Sequence, residues 1–302
     1  MKFGFGIQLW LRNNHLENFY RMLVELALEG LDGFETSHGF LVDWYGGKPK
    51  ELRKILDMLG LEVSSYYYGA EYYDKESREA SIKELKRRAD FMAELGYQNV
   101  LLDGGRKIPG MDARRLDDYI KLIAETANSL GEYANSLGLT LSWHQHWGSV
   151  FEVQAPFHRL MELTDPKIVG FCCDVGQLTL GDFNVTETVE RYASQGRIRF
   201  MHYKDLTGDG RPEKRLWDGY DAPSDMGAYN VDSKYRWVEL GRGCVDFVGV
   251  TKILQKYGYD GWLVDDFDFT GYEPRVSVRA CKAYINNALG IKTARDLNEN
   301  SK

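Results

Sequence analysis

Short apolar runs alternate with longer amphipathic stretches along most of the chain. The amphipathic stretches carry apolar residues at helical spacing, as in Ser81–Glu94 and Leu116–Leu137. Several helical stretches end in a glycine, which adopts the left-handed conformation at little cost and so lets a strand follow at once. These glycines are Gly30, Gly60, Gly96, Gly138 and Gly258. The pattern predicts repeated strand–helix units, which are typical of parallel sheets.

Eight apolar runs have the length expected of strands in such a sheet. They are Phe3–Leu9, Gly33–Thr36, Val63–Tyr67, Asn99–Leu102, Thr140–Trp143, Val169–Cys173, Arg199–Tyr203 and Gly261–Val264. Eight strand–helix units in 302 residues predict an α/β fold, a single (β/α)8 TIM barrel domain over residues 1–302. The rival is a doubly wound open sheet, which normally has a glycine-rich phosphate loop after its first strand. Here Gly4 and Gly6 lie inside the first predicted strand, and no such loop follows.

One connection is much longer than the others. Residues 206–238 follow the seventh predicted strand and are rich in glycine, proline and aromatic residues. Long loops in compact domains usually serve a function, so we expect a lid or a partner-docking loop. A decorated surface loop is the alternative.

Charge and composition exclude several classes of protein. The net charge is −7 and no basic stripe is visible, which argues against a nucleic-acid partner. No apolar run approaches the roughly 20 residues that span a bilayer, and no basic segment precedes a long apolar one at the N-terminus. The four cysteines form no Cys-x-x-Cys pair. We therefore expect reduced thiols, no membrane partner and a cytoplasmic location.

The segment Trp143-His144-Gln145-His146-Trp147-Gly148 follows the fifth predicted strand. Alternate side chains of a strand share a face, so His144 and His146 are expected to point into one cavity. Two imidazoles on one face suit a metal site or an acid–base site. The alternative is a pair of polar residues hydrogen-bonded at a strand end.

Polar residues also follow other predicted strands, and in a barrel all carboxyl ends open at one mouth. Asp174 follows strand six, His202 lies at the end of strand seven, and Asp265, Asp266 and Asp268 follow strand eight. Together with His144, they offer mixed imidazole and carboxylate ligands, which suit Mn²⁺, Co²⁺, Mg²⁺ or Zn²⁺. The convergence predicts a divalent metal site, with Mn²⁺ as the first choice.

Several blocks of the sequence resemble the xylose isomerase-like barrel superfamily of sugar isomerases, epimerases and related lyases. They are His144–Gly148, Phe171–Leu178, Phe200–Asp205, Leu240–Phe247 and Gly258–Val264. The resemblance extends over nearly the whole chain in the right order. Within the superfamily, the histidine-rich motif after strand five and the segment Leu160–Pro166 look most like those of inosose dehydratases.

This resemblance implies a metal bound by His144, Asp174, His202 and Asp266, with Asp268 as a neighbour of the last ligand. Two positions depart from the family pattern. The usual Glu after strand eight is Asp here, and the usual His after the strand-six Asp is Gln177.

The resemblance also implies a reaction. A base removes a proton next to the carbonyl of a keto-sugar or keto-polyol, and a hydroxyl group is then eliminated, as in inosose dehydration. We expect His146 to be the base or acid, Lys204 to hold a hydroxyl or stabilise the enolate, and Glu35 to lie near the substrate. The residues expected to contact substrate are Trp10, Tyr68, Trp147, Gln177, Arg242 and Asp268.

Other functions remain open for this barrel. It could be a sugar epimerase or isomerase, the metal-dependent subunit of a C-glycoside deglycosidase, or a degenerate barrel that acts as a binding subunit. A nuclease-like barrel is disfavoured by Gln177 and the net charge of −7. A small sugar or cyclitol is the expected partner, with a homo-oligomer or a second subunit also allowed.

Overall fold

The structure, a computed structural model, describes residues 1–11, 15–37, 39–72, 74–108, 110–181, 183–207 and 236–299. The strands are β1 Lys2–Gly6, β2 Gly33–Thr36, β3 Glu62–Ala70, β4 Asn99–Gly104, β5 Thr140–His144, β6 Val169–Asp174, β7 Ile198–Tyr203, β8 Asp205–Leu206, β9 Trp237–Val238 and β10 Trp262–Asp265. The helices are α1 Leu16–Leu28, α2 Phe40–Tyr45, α3 Pro49–Leu59, α4 Lys75–Leu95, α5 Ala113–Ser136, α6 Gln154–Leu163, α7 Val175–Leu180, α8 Val185–Ser194, α9 Phe247–Lys256, α10 Pro274–Ala288 and α11 Ala294–Glu299.

Within these residues, eight parallel strands close into a barrel in the order β1-β10-β7-β6-β5-β4-β3-β2. Helices connect successive strands, so the architecture is the (β/α)8 TIM barrel that the sequence predicts. All eight carboxyl ends open at one mouth, which is where the polar strand ends lie.

The glycine stops act as the sequence predicts. Gly60 and Gly96 adopt φ angles of 67° and 79° after α3 and α4, and the next residue bonds back to the helix in each case. Each turn delivers the chain to β3 or β4 within a few residues. The predicted helical stretches Ser81–Glu94 and Leu116–Leu137 correspond to α4 and α5.

The first strand is shorter than predicted. Pairing of β1 with its neighbours ends at Gly6, and Ile7–Leu9 form a 3₁₀ turn. This turn folds the Gln8 side chain back over Gly6, where a Cβ would lie 2.4 Å from Gln8 Oε1. The prediction of Phe3–Leu9 was therefore wrong at its end, because Gly6 makes room for a side chain that reaches the barrel mouth.

The barrel interior is layered. A lower apolar layer contains Leu101, Cys172, Phe200, Trp262 and Val264. Because strand side chains alternate, the residue two positions later lies on the same face and closer to the mouth. The apolar layer is thus followed by a polar layer that includes Asp103, Asp174, His202 and Asp266.

Gly33 leaves space for the interior side chain of Trp262. A Cβ at this position would lie 2.2 Å from the Glu62 carbonyl oxygen and 2.9 Å from Trp262 Cη2. We expect Gly33→Ala to lower the free energy of unfolding by about 1–3 kcal/mol or more in urea denaturation. Gly271→Ala is the matched control, because nothing lies within 4 Å of its added Cβ. Equal stability of the two variants would contradict this account of the barrel interior.

Strands β8 and β9 pair antiparallel and bring residues 205–206 beside 237–238. The lid or docking loop predicted over 206–238 falls mostly on 208–235, outside the described residues. In the part of the chain that is described, no helix combines the length and apolar character needed to cross a bilayer.

Candidate metal centre

The structure brings four of the predicted residues together at the barrel mouth. His144 ends β5, Asp174 ends β6, His202 lies on β7, and Asp266 follows β10. One ligand atom from each lies within 4.8 Å of each of the others, and all four residues are buried. The cluster has the spacing of a cation site.

Asp174 serves two purposes with its two oxygens. It is the N-cap of α7, and Oδ1 accepts a hydrogen bond from the Gln177 backbone N–H at 2.9 Å. The other oxygen, Oδ2, lies 3.3 Å from His144 Nε2 and 3.7 Å from His202 Nδ1. The cap therefore fixes the carboxylate so that Oδ2 points at the cluster.

His202 is held from across the barrel by Glu35 on β2. Glu35 Oε2 accepts a hydrogen bond from His202 Nε2 at 2.9 Å and from Ser65 Oγ at 2.5 Å. The proton on Nε2 leaves Nδ1 as the lone-pair nitrogen, and Nδ1 lies 3.7 Å and 3.9 Å from oxygens of Asp174 and Asp266. A histidine whose far nitrogen is held by a carboxylate is the usual arrangement of metal ligands.

Asp266 is held on both oxygens. Gln8 Nε2 donates to Oδ1 at 3.1 Å, and Lys204 Nζ donates to Oδ2 at 2.9 Å. Lys204 is buried, also pairs with Asp268, and its ammonium lies 4.6 Å from the centre of the Trp237 ring. Gln8 and Lys204 together orient the fourth candidate ligand.

Burial and neighbouring charges shift the pKa values of the cluster residues and of Asp268. Burial raises the pKa of Asp174, but the adjacent His144, His202 and Lys204 outweigh burial and hold the pKa well below its usual range. Burial likewise opposes ionisation of Asp266, yet Lys204 and His202 leave its pKa lowered. Burial lowers the pKa of His144, which favours the neutral imidazole that a metal requires. Burial and the nearby Asp266 raise the pKa of Asp268 to about 6 despite Lys204.

The donor set fits a divalent cation. Two imidazoles and two carboxylates supply two negative charges around one buried point, and mixed nitrogen and oxygen ligands suit Mn²⁺, Co²⁺ or Zn²⁺. His202 Nδ1 has no hydrogen-bond partner within the described ranges, although His202 is 0% exposed. A buried nitrogen of this kind costs free energy unless it acquires a ligand.

His146 lies beside the cluster rather than in it. Its ring centre is 5.6 Å from that of His144. His146 Nδ1 donates to the Trp147 carbonyl at 2.5 Å, and Gln177 Nε2 lies 3.4 Å from His146 Nε2. Gln177 Oε1 accepts from the Trp147 backbone N–H, which turns its amide nitrogen toward His146. Nε2 is therefore the acceptor nitrogen of the imidazole.

Three residues predicted to contact substrate lie elsewhere. Tyr68 faces α4, where its ring stacks 4.5 Å from the Arg88 guanidinium, because it alternates with Tyr67 along β3. Trp10 donates to Glu25 on α1 at 2.7 Å and packs edge-on against Phe5. No described contact joins either residue to the cluster, and their contact with substrate stays a prediction.

Arg242 lies on the loop between β9 and α9. Its side chain is 60% exposed and lies 3.9 Å from Glu239, on a loop whose backbone N–H groups bond to Asp205. Arg242 lines a cavity of about 460 Å³ with Trp237, Phe267 and Tyr272, and no described contact links it to the four-residue cluster. Arg242 lies on a loop and not on a barrel strand, so the alternation of strand side chains does not predict which way it points.

Three residues outside the predicted set contact the cluster or the Glu35 carboxylate that holds His202. Tyr67 packs edge-on against His144 with ring centres 5.3 Å apart, and its hydroxyl donates to Asp103. Gln8 and Ser65 hold Asp266 and Glu35. The signal for Tyr67 and Ser65 was available, since both share one face of β3.

Comparison with known proteins agrees with this fold. The model of the xylose isomerase-like TIM barrel family matches residues 23–266. Inosose dehydratase from Clostridium beijerinckii is 28% identical over 262 residues, covering 82% of each chain. The solved structure of the IOLI protein with a bound zinc atom has a TM-score of 0.72 at 14% identity, covering 96% of this chain and 98% of that one. The solved 3-keto-D-glucoside 4-epimerase YcjR from E. coli has a TM-score of 0.69 at 18% identity, covering 95% and 99%.

Proposed function

The chain belongs to the xylose isomerase-like TIM barrel family, and we propose that it is a metal-dependent dehydratase of a keto-sugar or keto-polyol such as inosose. The observation that carries the proposal is His146, whose acceptor nitrogen lies beside a buried set of four metal-type ligands. The similarity to inosose dehydratases supports elimination as the outcome.

We propose that His144, Asp174, His202 and Asp266 hold the ion. Bound there, a divalent ion such as Mn²⁺ supplies Lewis acidity to the substrate's carbonyl and adjacent hydroxyl oxygens. Asp174 and Asp266 are already ionised without it, so the carboxylates need no further deprotonation.

His146 is proposed as the base. Its Nδ1–H is engaged by the Trp147 carbonyl, so Nε2 carries the lone pair that takes the proton from the carbon next to the carbonyl. The bond from the neighbouring carbon to its hydroxyl group then breaks, and the same imidazole returns the proton to form water. Gln177 Nε2 lies 3.4 Å from this nitrogen and helps to fix the orientation of the imidazole.

Lys204 and Asp268 are proposed to bind substrate hydroxyl groups beside the ion. Lys204 already balances Asp266 and Asp268, so its ammonium can stay charged although it is buried. Trp147 is buried next to His146 and is proposed as an apolar wall for the sugar ring.

Glu35 is proposed as a positioning residue and not as one that touches substrate. Its Oε2 is occupied by His202 and Ser65, 2.9 and 2.5 Å away. It fixes the tautomer of His202 and thereby presents Nδ1 to the ion.

Glu35→Gln is expected to weaken Mn²⁺ binding by about 10–100-fold, because an amide can no longer hold His202 as a full carboxylate does. Isothermal titration of metal-free protein with Mn²⁺ measures the change. Glu239→Gln is the matched control, since Glu239 is also buried and accepts hydrogen bonds from hydroxyl groups of Ser277 and Thr270. Unchanged Mn²⁺ affinity with a reduced kcat would place Glu35 on the substrate instead.

The function is tested by incubating the Mn²⁺-loaded protein with inosose, a free ketohexose and a 3-keto C-glycoside in deuterated water. Loss of water and formation of an enone or enol product from inosose is the expected result. Deuterium incorporation without loss of water would assign an epimerase or isomerase. Release of the aglycone would assign C-glycoside cleavage, and no reaction with any substrate would contradict the proposal.

A further inference from the structure

Cys172 lies directly below the cluster of four candidate ligands. It is on β6, two residues before Asp174, and therefore on the same inward face one layer deeper in the barrel. Its sulfur and one nitrogen from each of His144 and His202 all lie within 4.8 Å of one another. All three residues are at most 1% exposed. The barrel thus contains a second set of ligand atoms that shares both imidazoles with the first.

The two histidines that both sets share also have unpaired ring nitrogens. Nδ1 of His144 and Nδ1 of His202 have no hydrogen-bond partner in the described part of the chain, although both residues are buried. Buried side-chain nitrogens are normally paired, so unpaired nitrogens on two histidines that group with a buried sulfur indicate ligand-binding capacity at this depth.

We propose that His144, Cys172 and His202 form a second, deeper metal site, which takes a thiophilic divalent ion such as Zn²⁺, Cd²⁺ or Co²⁺. Imidazole nitrogen and thiolate sulfur are both common zinc ligands, whereas Mn²⁺ and Mg²⁺ prefer oxygen ligands. On binding, the sulfur–metal bond forms as the thiol proton leaves to solvent, and no electrons are transferred.

The two sites exclude one another, because each needs the same two imidazoles. A hard ion is held at the mouth by Asp174 and Asp266, while a soft ion is drawn one layer deeper by Cys172. The chemistry of the ion therefore decides its depth in the barrel. This inference depends on the ligand geometry alone and stands whether or not the protein is a dehydratase.

The first test uses the full-length metal-free protein with a Cys244→Ser background, which removes the exposed thiol. We expect X-ray absorption of the protein with one equivalent of Zn²⁺ to show one sulfur neighbour at about 2.3 Å. With Co²⁺, we expect thiolate-to-cobalt charge-transfer absorption. A zinc shell of nitrogen and oxygen alone would overturn the proposal.

The second test compares Cys172→Ser with Cys173→Ser in the same background. Cys173 is the matched control, because it is also buried on β6 but points to the outer side of the barrel wall and packs in the main core. Cys172→Ser should abolish the cobalt charge-transfer band. It should also weaken Cd²⁺ binding at least about 10-fold, because loss of a residue that only supports a metal ligand already costs about 10–100-fold. Both variants should keep Mn²⁺ affinity close to that of the parent.

Competition tests the mutual exclusion. One equivalent of Cd²⁺ should release bound Mn²⁺, which is seen as the return of the free-Mn²⁺ electron paramagnetic resonance signal. Persistence of the cobalt band in Cys172→Ser, or simultaneous binding of both ions, would overturn the proposal. If Cys172→Ser fails to fold, the zinc absorption spectrum of the unsubstituted barrel still decides it.

Discussion

Asp174→Asn is expected to abolish tight Mn²⁺ binding and turnover while leaving the fold intact. Asparagine is as good an N-cap as aspartate, so the hydrogen bond to the Gln177 N–H at the start of α7 is retained. The substitution removes only the negative charge of Oδ2, the atom that lies 3.3 Å from His144 and 3.7 Å from His202.

The expected loss in Mn²⁺ affinity is at least about 100-fold, because loss of an outer-shell partner alone costs about 10–100-fold. Isothermal titration measures the affinity. Thermal unfolding provides the control for folding, since a bound ion stabilises only a protein that can bind it. Without metal the variant should still unfold cooperatively, at a somewhat lower temperature because the ionised Asp174 stabilises the fold, and added Mn²⁺ should raise the melting temperature of the parent only.

A surface substitution separates this effect from a general change of charge. Asp57→Asn removes one carboxylate from an exposed helix pair with Arg53 and should leave Mn²⁺ binding unchanged. Parent-like Mn²⁺ affinity in Asp174→Asn would show that Oδ2 is not a ligand.

His146→Gln is expected to reduce kcat by about 10²–10⁴-fold, the usual contribution of a general base. Mn²⁺ affinity should change little, because His146 lies beside the four candidate ligands and not among them. Glutamine can still donate to the Trp147 carbonyl but offers no basic nitrogen in place of Nε2. Steady-state kinetics on inosose and Mn²⁺ titration measure the two quantities separately.

His158→Gln is the matched control for this variant. His158 bonds to the Tyr192 hydroxyl and packs against Phe157 on the outer side of the barrel. It should leave kcat near that of the parent. If His146→Gln lost Mn²⁺ affinity in step with kcat, His146 would be a ligand, and an unchanged kcat would place the base elsewhere.

The barrel and the outline of the site follow from sequence because both rest on local rules. Glycine stops mark the helix ends, and strand alternation brings His144, Asp174 and His202 to one face. Strand alternation also separates the three aspartates after β10. Asp265 faces outward toward Cys281, and burial raises its pKa well above the usual range, whereas Asp266 faces the cluster.

Contacts between side chains on opposite sides of the barrel could not be predicted from these local rules. Glu35 meets His202 from a strand 167 residues away, and only the closed barrel shows that it holds an imidazole. The inward direction of Tyr67 on β3 is set together with the register of β3 against β2, which shifts between Phe34 and Glu35. The turn that brings Gln8 to Asp266 begins where the pairing of β1 with β2 and β10 ends, which the sequence alone does not show.

Anomalous X-ray scattering from crystals of the Mn²⁺-loaded protein tests the central claim most directly. One manganese peak is expected at the barrel mouth, within coordination distance of His144, Asp174, His202 and Asp266. A peak elsewhere, or none at this point from protein saturated with Mn²⁺, would contradict the assignment of the metal centre and the chemistry built on it.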